Sequence, residues 1–407
     1  MLKNLGIVVA VISIVGIALG RYPKMKMNRA TISLVGSVLL ILLNVITLDE
    51  AYSAIDMNTL VLIFSMMVLN VNLKIAGFFS LLVAKIVQFA SSPKQLLFLL
   101  IMSSGILSSL FLNDTIVLMF TPLILEIVIE LKLNPIPYLI ALAVSANIGS
   151  AATIVGNPQN MLIGIFSGIS FVSFAKYMIP LSFISLIITY YIIKFLYSKD
   201  FTEKHFQLTN TGQPFIYKPL LIKSIISLIL LLAGFLIGIP ISLTALSAAS
   251  LLLFTRRIKP ERVFKEIDWS LLVFFSGLFI ITSAINKTLQ PEQFVEFGKS
   301  FNLQMIIALT SISAILSNLV SNVPAVLILA PIITDFPNSQ FIWLIVAMST
   351  TFAGNLTLLG SVANMIIAET ANKKRIKLEF VEYFRVGFPL TIITLILGVI
   401  WFSFLSL

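Results

Sequence analysis

The chain has 407 residues, of which 58% are hydrophobic and 11% charged; the net charge is +10 and there is no cysteine. Soluble domains carry about a quarter charged residues, so this composition, with a mean hydropathy of +1.06, excludes a soluble domain and reads as a polytopic membrane protein. The missing cysteines exclude disulfides and thiolate metal sites. The positive charge does not point to nucleic acid, because the basic residues fall in loops between apolar runs, as the positive-inside rule requires. The lone His205 has no second histidine to partner it and reads as a loop residue.

The spacing predicts a first span over about Leu5–Leu19, followed by Arg21, Lys24, Lys26 and Arg29, which places that loop in the cytoplasm and the N-terminus outside. Its basic cluster follows the apolar run, so this is an uncleaved span rather than a signal peptide. A second span covers 30–48, a third 59–74, and 77–90 is a shorter amphipathic piece. Residues 95–131 are too few for two full spans and a turn if both ends are cytoplasmic. They predict a re-entrant hairpin with its tip at Asn113-Asp114. Residues 138–165 predict a helix broken at Gly156-Asn157-Pro158, since flexible φ is followed by a residue without an amide N–H. A span over 171–194 and a polar cytoplasmic linker at 197–219 close the first half.

The second half, 220–407, repeats the plan of residues 1–196 with opposite orientation. Spans at 220–238 and 241–254 end in Arg256, Arg257, Lys259, Arg262 and Lys265, and another opens at Ile267-Asp268. A second hairpin occupies 303–333, with Ser321-Asn322-Val323-Pro324 at its tip, and a second broken helix occupies 341–369. A last span finishes outside. Gly156 and Gly360, like Asn160 and Asn364, stand 204 residues apart, and Pro122 and Pro331 stand 209 apart. The predicted fold class is therefore an all-α polytopic membrane protein: an inverted repeat of about ten spanning helices plus two re-entrant hairpins and two broken helices. Matching broken helices in two halves are the sequence pointer to a secondary transporter's binding site.

Four stretches carry a family resemblance: Leu-Asn-Asp-Thr-Ile-Val-Leu-Met-Phe-Thr-Pro-Leu at 112–123, Gly-Asn-Pro-Gln-Asn at 156–160, Ser-Asn-Val-Pro-Ala at 321–325, and Gly-Asn-Leu-Thr-Leu-Leu-Gly-Ser-Val-Ala-Asn at 354–364. With these the chain resembles the ion transporter superfamily, which holds the ArsB-type arsenite permeases, the NhaD-type sodium–proton antiporters and the divalent-anion/sodium symporters. The Gly-Asn-Pro-Gln-Asn form resembles the YbiR-type anion permeases most. The symporter branch has Ser-Asn-Thr at both tips. This chain has Asn113-Asp114-Thr115 and Ser321-Asn322-Val323, nearer the ArsB and NhaD branches. The resemblance implies a transport domain of hairpins and broken helices beside a scaffold domain, often a homodimer, in a prokaryotic plasma membrane.

The candidate ion- and substrate-binding residues are Asn113, Asp114, Thr115, Gly156, Asn157, Asn160, Ser321, Asn322, Asn355, Thr357, Gly360, Ser361 and Asn364. Helix N-termini attract anions, whereas freed carbonyls and C-termini suit Na⁺. Two Na⁺ positions are expected, one near Asp114 and Asn157, the other near Asn322 and Ser361. Asp114 is the one carboxylate expected near the membrane centre, either as coupling group or as the cap of a helix beginning at Thr115. Glu369 is expected in a solvated pair beside Lys373, and no Arg or Lys is expected near the site. The function expected is secondary transport of a small anion coupled to H⁺ or Na⁺, with no cofactor. Na⁺/H⁺ antiport and arsenite or other metalloid efflux are the alternatives. An enzyme is excluded by the lack of a nucleophile with a base beside it.

Overall fold

The computed structural model describes residues 2–20, 27–201, 215–254, 258–288, 302–333, 336 and 339–405. His205, most of the linker, and the basic residues Arg21, Lys24, Lys26, Arg256 and Arg257 lie outside them. The described residues are helical throughout. The first half runs α1 (Leu2–Leu19), α2 (Arg29–Leu42), short α3 (Leu48–Ala54), α4 (Met57–Ile75), α5 (Phe78–Phe89), α6 (Pro93–Leu110), α7 (Asn113–Glu130), α8 (Pro135–Ser150), α9 (Pro158–Ser167) and α10 (Phe171–Leu196). The second runs α11 (Lys218–Leu236), α12 (Ile241–Leu253), short α13 (Pro260–Lys265), α14 (Trp269–Thr288), α15 (Leu303–Val320), α16 (Asn322–Ile333), α17 (Ser339–Ala353), α18 (Val362–Lys373) and α19 (Phe380–Leu405). Seven of these helices are long and apolar enough to cross a membrane; the shorter apolar ones include α8 and most of α17, the first half-helix of each break.

The local sequence sets these boundaries. Ser92 and Asn134 each cap a helix whose first residue is proline, where the missing N–H costs nothing. Gly77 turns from α4 into α5 at φ +82°, in the left-handed region that glycine enters without penalty. Each hairpin is two helices meeting at a very short turn: residues 111–112 in the first and Ser321 in the second. The hairpin helices α6 and α7 have 18 residues each and together span 93–130, against the 95–131 expected from the sequence. They end at the break of the neighbouring helix, where the Asn113 N–H donates to the Gly156 carbonyl at 3.0 Å.

The two halves interlock as a repeat should. α2 packs on α14, while its counterpart α12 packs on α4, the counterpart of α14. The first hairpin's α7 packs on α18 of the second broken helix, and the second hairpin's α16 packs on α9 of the first. Four prolines inside helices also pair at a 209-residue offset: Pro122 with Pro331, and Pro180 with Pro389. Two ion pairs follow the same exchange. Lys74 at the end of α4 binds Glu266 before α14 at 2.7 Å, and Lys287 near the end of α14 binds Glu50 before α4 at 2.7 Å.

Candidate functional site

Each broken helix is held open by one asparagine. The Asn160 side-chain N–H donates to the carbonyls of Ser150 (3.1 Å) and Thr153 (2.9 Å). The Asn364 side-chain N–H donates to those of Gly354 (2.9 Å) and Thr357 (3.0 Å), the same positions one repeat later. A broken helix leaves its last carbonyls without partners, and in lipid no water replaces them. These two asparagines supply the missing donors, so their amide nitrogens serve structure.

The caps of the second half-helices are equally local. Asn157 caps α9 by accepting from the Asn160 N–H at 2.8 Å, and its own amide donates to Ser150 Oγ at 2.8 Å. Ser361 caps α18 through the Ala363 N–H. Gly156 is required by close approach: a Cβ there would lie 2.3 Å from the Ser150 carbonyl oxygen and 2.8 Å from that of Ser108. Gly360 meets the Gly354 carbonyl oxygen at 2.9 Å.

The hairpin tips and half-helices converge on one cavity of about 770 Å³. Asn113 and Asp114 reach it from the first tip, and Ser321, Asn322 and Val323 from the second. Pro158 and Gln159 contribute from α9, and Ser361 and Val362 from α18. Four helix N-termini, those of α7, α9, α16 and α18, therefore point positive ends at one space. Leu359, in the second break, is 67% exposed to it, whereas every residue of the first break is buried. The second break is therefore the exposed one of the two.

Three charged groups join Asp114 at the cavity, and one of them, Arg29, corrects the expectation of a site without Arg or Lys. Arg29, at the start of α2, lines the cavity and interacts electrostatically with Asp114, as does Asp268 before α14. Glu369 lines it too, and pairs with Lys373 at 3.4 Å as expected, both largely exposed. The capping role considered for Asp114 is not what is seen: α7 begins at Asn113 with Leu112 as its N-cap, without a side-chain hydrogen bond. Thr115 points elsewhere, accepting from the Asn70 amide of α4 at 3.2 Å. Thr357 contributes its carbonyl to Asn364, and Asn355 is fully buried at the start of the second break.

The residue missed by sequence reasoning is Asn147, in the last turn of α8. Its Oδ1 accepts from Asn113 Nδ2 (3.1 Å) and from Ser361 Oγ (3.1 Å). Its Nδ2 donates to Asn355 Oδ1 (3.0 Å) and Asn364 Oδ1 (3.1 Å). One buried side chain thus joins the first hairpin tip to the second broken helix. Its only signal was an amide inside an apolar run. Gln159 makes a second bond between the halves, to Thr351 Oγ1 at 3.2 Å, and Thr351 occupies the position equivalent to Asn147. Among the described residues there is no cluster of three or more metal-ligating His, Asp or Glu side chains.

Hairpins against broken helices, in two interlocked halves around a polar cavity, are an arrangement suited to a membrane transporter. The chain belongs to the citrate transporter family, whose model matches residues 8–353. It is 29% identical to the silicon efflux transporter LSI3 of Oryza sativa subsp. japonica, covering 93% of each chain. It is 26% identical to the putative transporter arsB of Dictyostelium discoideum, covering 92% of this chain and 87% of that one. Its fold matches the crystal structure of the Alcanivorax borkumensis YdaH transporter with a TM-score of 0.64, at 11% identity, over 100% of this chain and 98% of the other. These findings bear out the membrane-transporter reading and the superfamily resemblance.

Proposed function

We propose that the protein is a secondary active transporter that moves a small anion by alternating access, coupled to H⁺ or Na⁺. The observation that carries this reading is the convergence of four helix N-termini on one cavity bordered by Arg29 and Asp114. The N-termini and Arg29 supply a positive field for an anion's oxygens. Asp114 supplies the carboxylate that takes up a proton or ligates Na⁺. By the positive-inside rule the cavity opens to the cytoplasm, since Arg29 and the basic stretch 373–377 border that end.

A second reading is supported by charge: Asp114, Asp268 and Glu369 outnumber Arg29 around the cavity. That balance suits a neutral or weakly ionised oxyacid leaving the cell in exchange for cations, which accords with the silicon efflux and arsB names of two relatives. Proteoliposomes with an internal pH dye decide between them. Na⁺ is added alone, then citrate, phosphate, arsenite and silicate singly. A signal that requires citrate or phosphate supports the anion reading. A signal with arsenite or silicate supports the second. A pH change with Na⁺ alone makes the protein a Na⁺/H⁺ antiporter and overturns both.

A further inference from the structure

The orientation of the amides around Asn147 is dictated rather than free. Amide oxygen and nitrogen are told apart by their hydrogen-bond partners. The Asn364 nitrogen is committed to two backbone carbonyls, which only accept. Asn364 must therefore present Oδ1 on its other side, and only a donor can meet it. That donor is Asn147 Nδ2, whose second proton goes to Asn355 Oδ1. Asn147 must then turn Oδ1 toward the first hairpin, where it takes the Asn113 amide nitrogen and the Ser361 hydroxyl. All four hydrogen-bonding positions of Asn147 are filled.

Two atoms are left over, of opposite character. Asn113 Oδ1, an acceptor at the tip beside Asp114, is buried without a partner. Asn355 Nδ2, a donor at the second break, is likewise buried without one. A buried unmade bond is costly, and since Asn113 also lines the cavity, its Oδ1 is a ready position for a ligand atom.

We infer that Asn147 is a positioning residue that fixes the polarity of both positions and so holds, at Asn113 on the cavity wall, an acceptor for the coupling cation. This rests on the transport reading above. It makes the cation affinity of the first hairpin depend on the backbone of the second broken helix, through Asn364.

The titratable groups that face this network are Asp114 from α7 and Tyr383 from α19, which lies beside Asn364. The other charged groups on helices packed against α8 sit in turns near helix ends: Lys94 on α6, Glu126 and Glu130 on α7, Lys176 and Lys194 on α10, Glu369 and Lys373 on α18, and Glu382 and Arg385 on α19. α17 carries none.

The test compares wild type, Asn147→Ala, Asn147→Asp, Asn113→Ala and the Asn113→Ala/Asn147→Ala double variant in liposomes. A protonated aspartic acid keeps an acceptor and one of asparagine's two donors, whereas an ionised one only accepts. Asn147→Asp is therefore expected to melt well below wild type at pH 8 and to recover toward it at pH 5, while Asn147→Ala stays low at both. Parallel pH profiles for the two variants overturn the relay. In flux assays Asn147→Ala is expected to raise the half-saturating concentration of the driving cation by about tenfold, the size of one lost charge-assisted hydrogen bond, with the maximal rate retained. The double variant is expected to match Asn113→Ala; additive effects overturn the inference. If wild type shows no cation-driven flux, the transport proposal falls, and the melting profiles still decide whether the relay exists.

Discussion

Asp114 sits where two kinds of evidence meet: it is the carboxylate of a hairpin tip, and a cation, Arg29, lies close enough to interact with it. Asp114→Asn keeps the shape and removes the charge, so cation-driven transport is expected to vanish while the protein still purifies folded; unchanged coupling in the flux assay would remove Asp114 from the mechanism. Gly156 is a steric prediction. An added Cβ meets two backbone oxygens that cannot rotate away, so Gly156→Ala is expected to cost about 1–3 kcal/mol of stability and to separate the first tip from its break. Ser321 turns the second tip at φ +78° and ψ +158°, a conformation that glycine adopts and serine pays for. Ser321→Gly is expected to raise thermal stability, by roughly 1 kcal/mol, and a lower melting temperature would show that the serine hydroxyl supplies more than the strain costs.

At the scale of elements, the two broken helices are one device built twice. Each has an asparagine that reaches back seven and ten residues to carbonyls the break has freed. Asn160→Ala and Asn364→Ala each orphan two carbonyls, at about 1–3 kcal/mol apiece. Both are expected to lower stability in lipid, measured by thermal melting, Asn364→Ala by more because its Oδ1 also accepts from Asn147; a neutral Asn160→Ala would mean the break is held by other bonds. This device was legible in the sequence because glycine, proline and asparagine interrupt an apolar run at a fixed repeat spacing. Asn147 was not legible, because it lies within an unbroken helix, where an amide gives no local signal and its four partners come from distant stretches. Arg29 was read as a topology marker, since a basic residue at the start of a span looks alike whether it faces solvent or bends into a cavity. The hairpins were placed from loop charge, which locates the tips at Asn113 and Asn322 but says little about helix length. Thr115 belongs to the Asn113-Asp114-Thr115 tip motif, yet one residue along a helix rotates a side chain by about 100°, enough to turn it to Asn70.

At the scale of the whole molecule, the proposed alternating cycle takes the exposed second break and the buried first break as one of its states. A cysteine at Leu359, which is widely exposed to the cavity, is expected to react with a membrane-impermeant maleimide added from the cytoplasmic side and to be protected from the outside. Equal labelling from both sides would contradict a single-sided cavity. The two ion pairs that tie the halves extend this logic. Glu50 is held down to about 2 by its bond to Lys287 and by the Thr47 N–H and hydroxyl. A carboxyl lowered by folding adds stability above its unfolded range, near 4, and loses it only as pH falls toward 2. The outer pair is therefore expected to survive any mild acid outside the cell, checked by a melting curve of Lys287→Gln that matches wild type only at strongly acidic pH. Its twin, Lys74 with Glu266, occupies the equivalent place with the halves exchanged, and the proposed inverted orientation has it look into the other compartment. A symmetric fold thereby becomes an asymmetric instrument: salt outside screens one fastening and salt inside the other, and the two environments of a cell can each loosen a different half of the same machine.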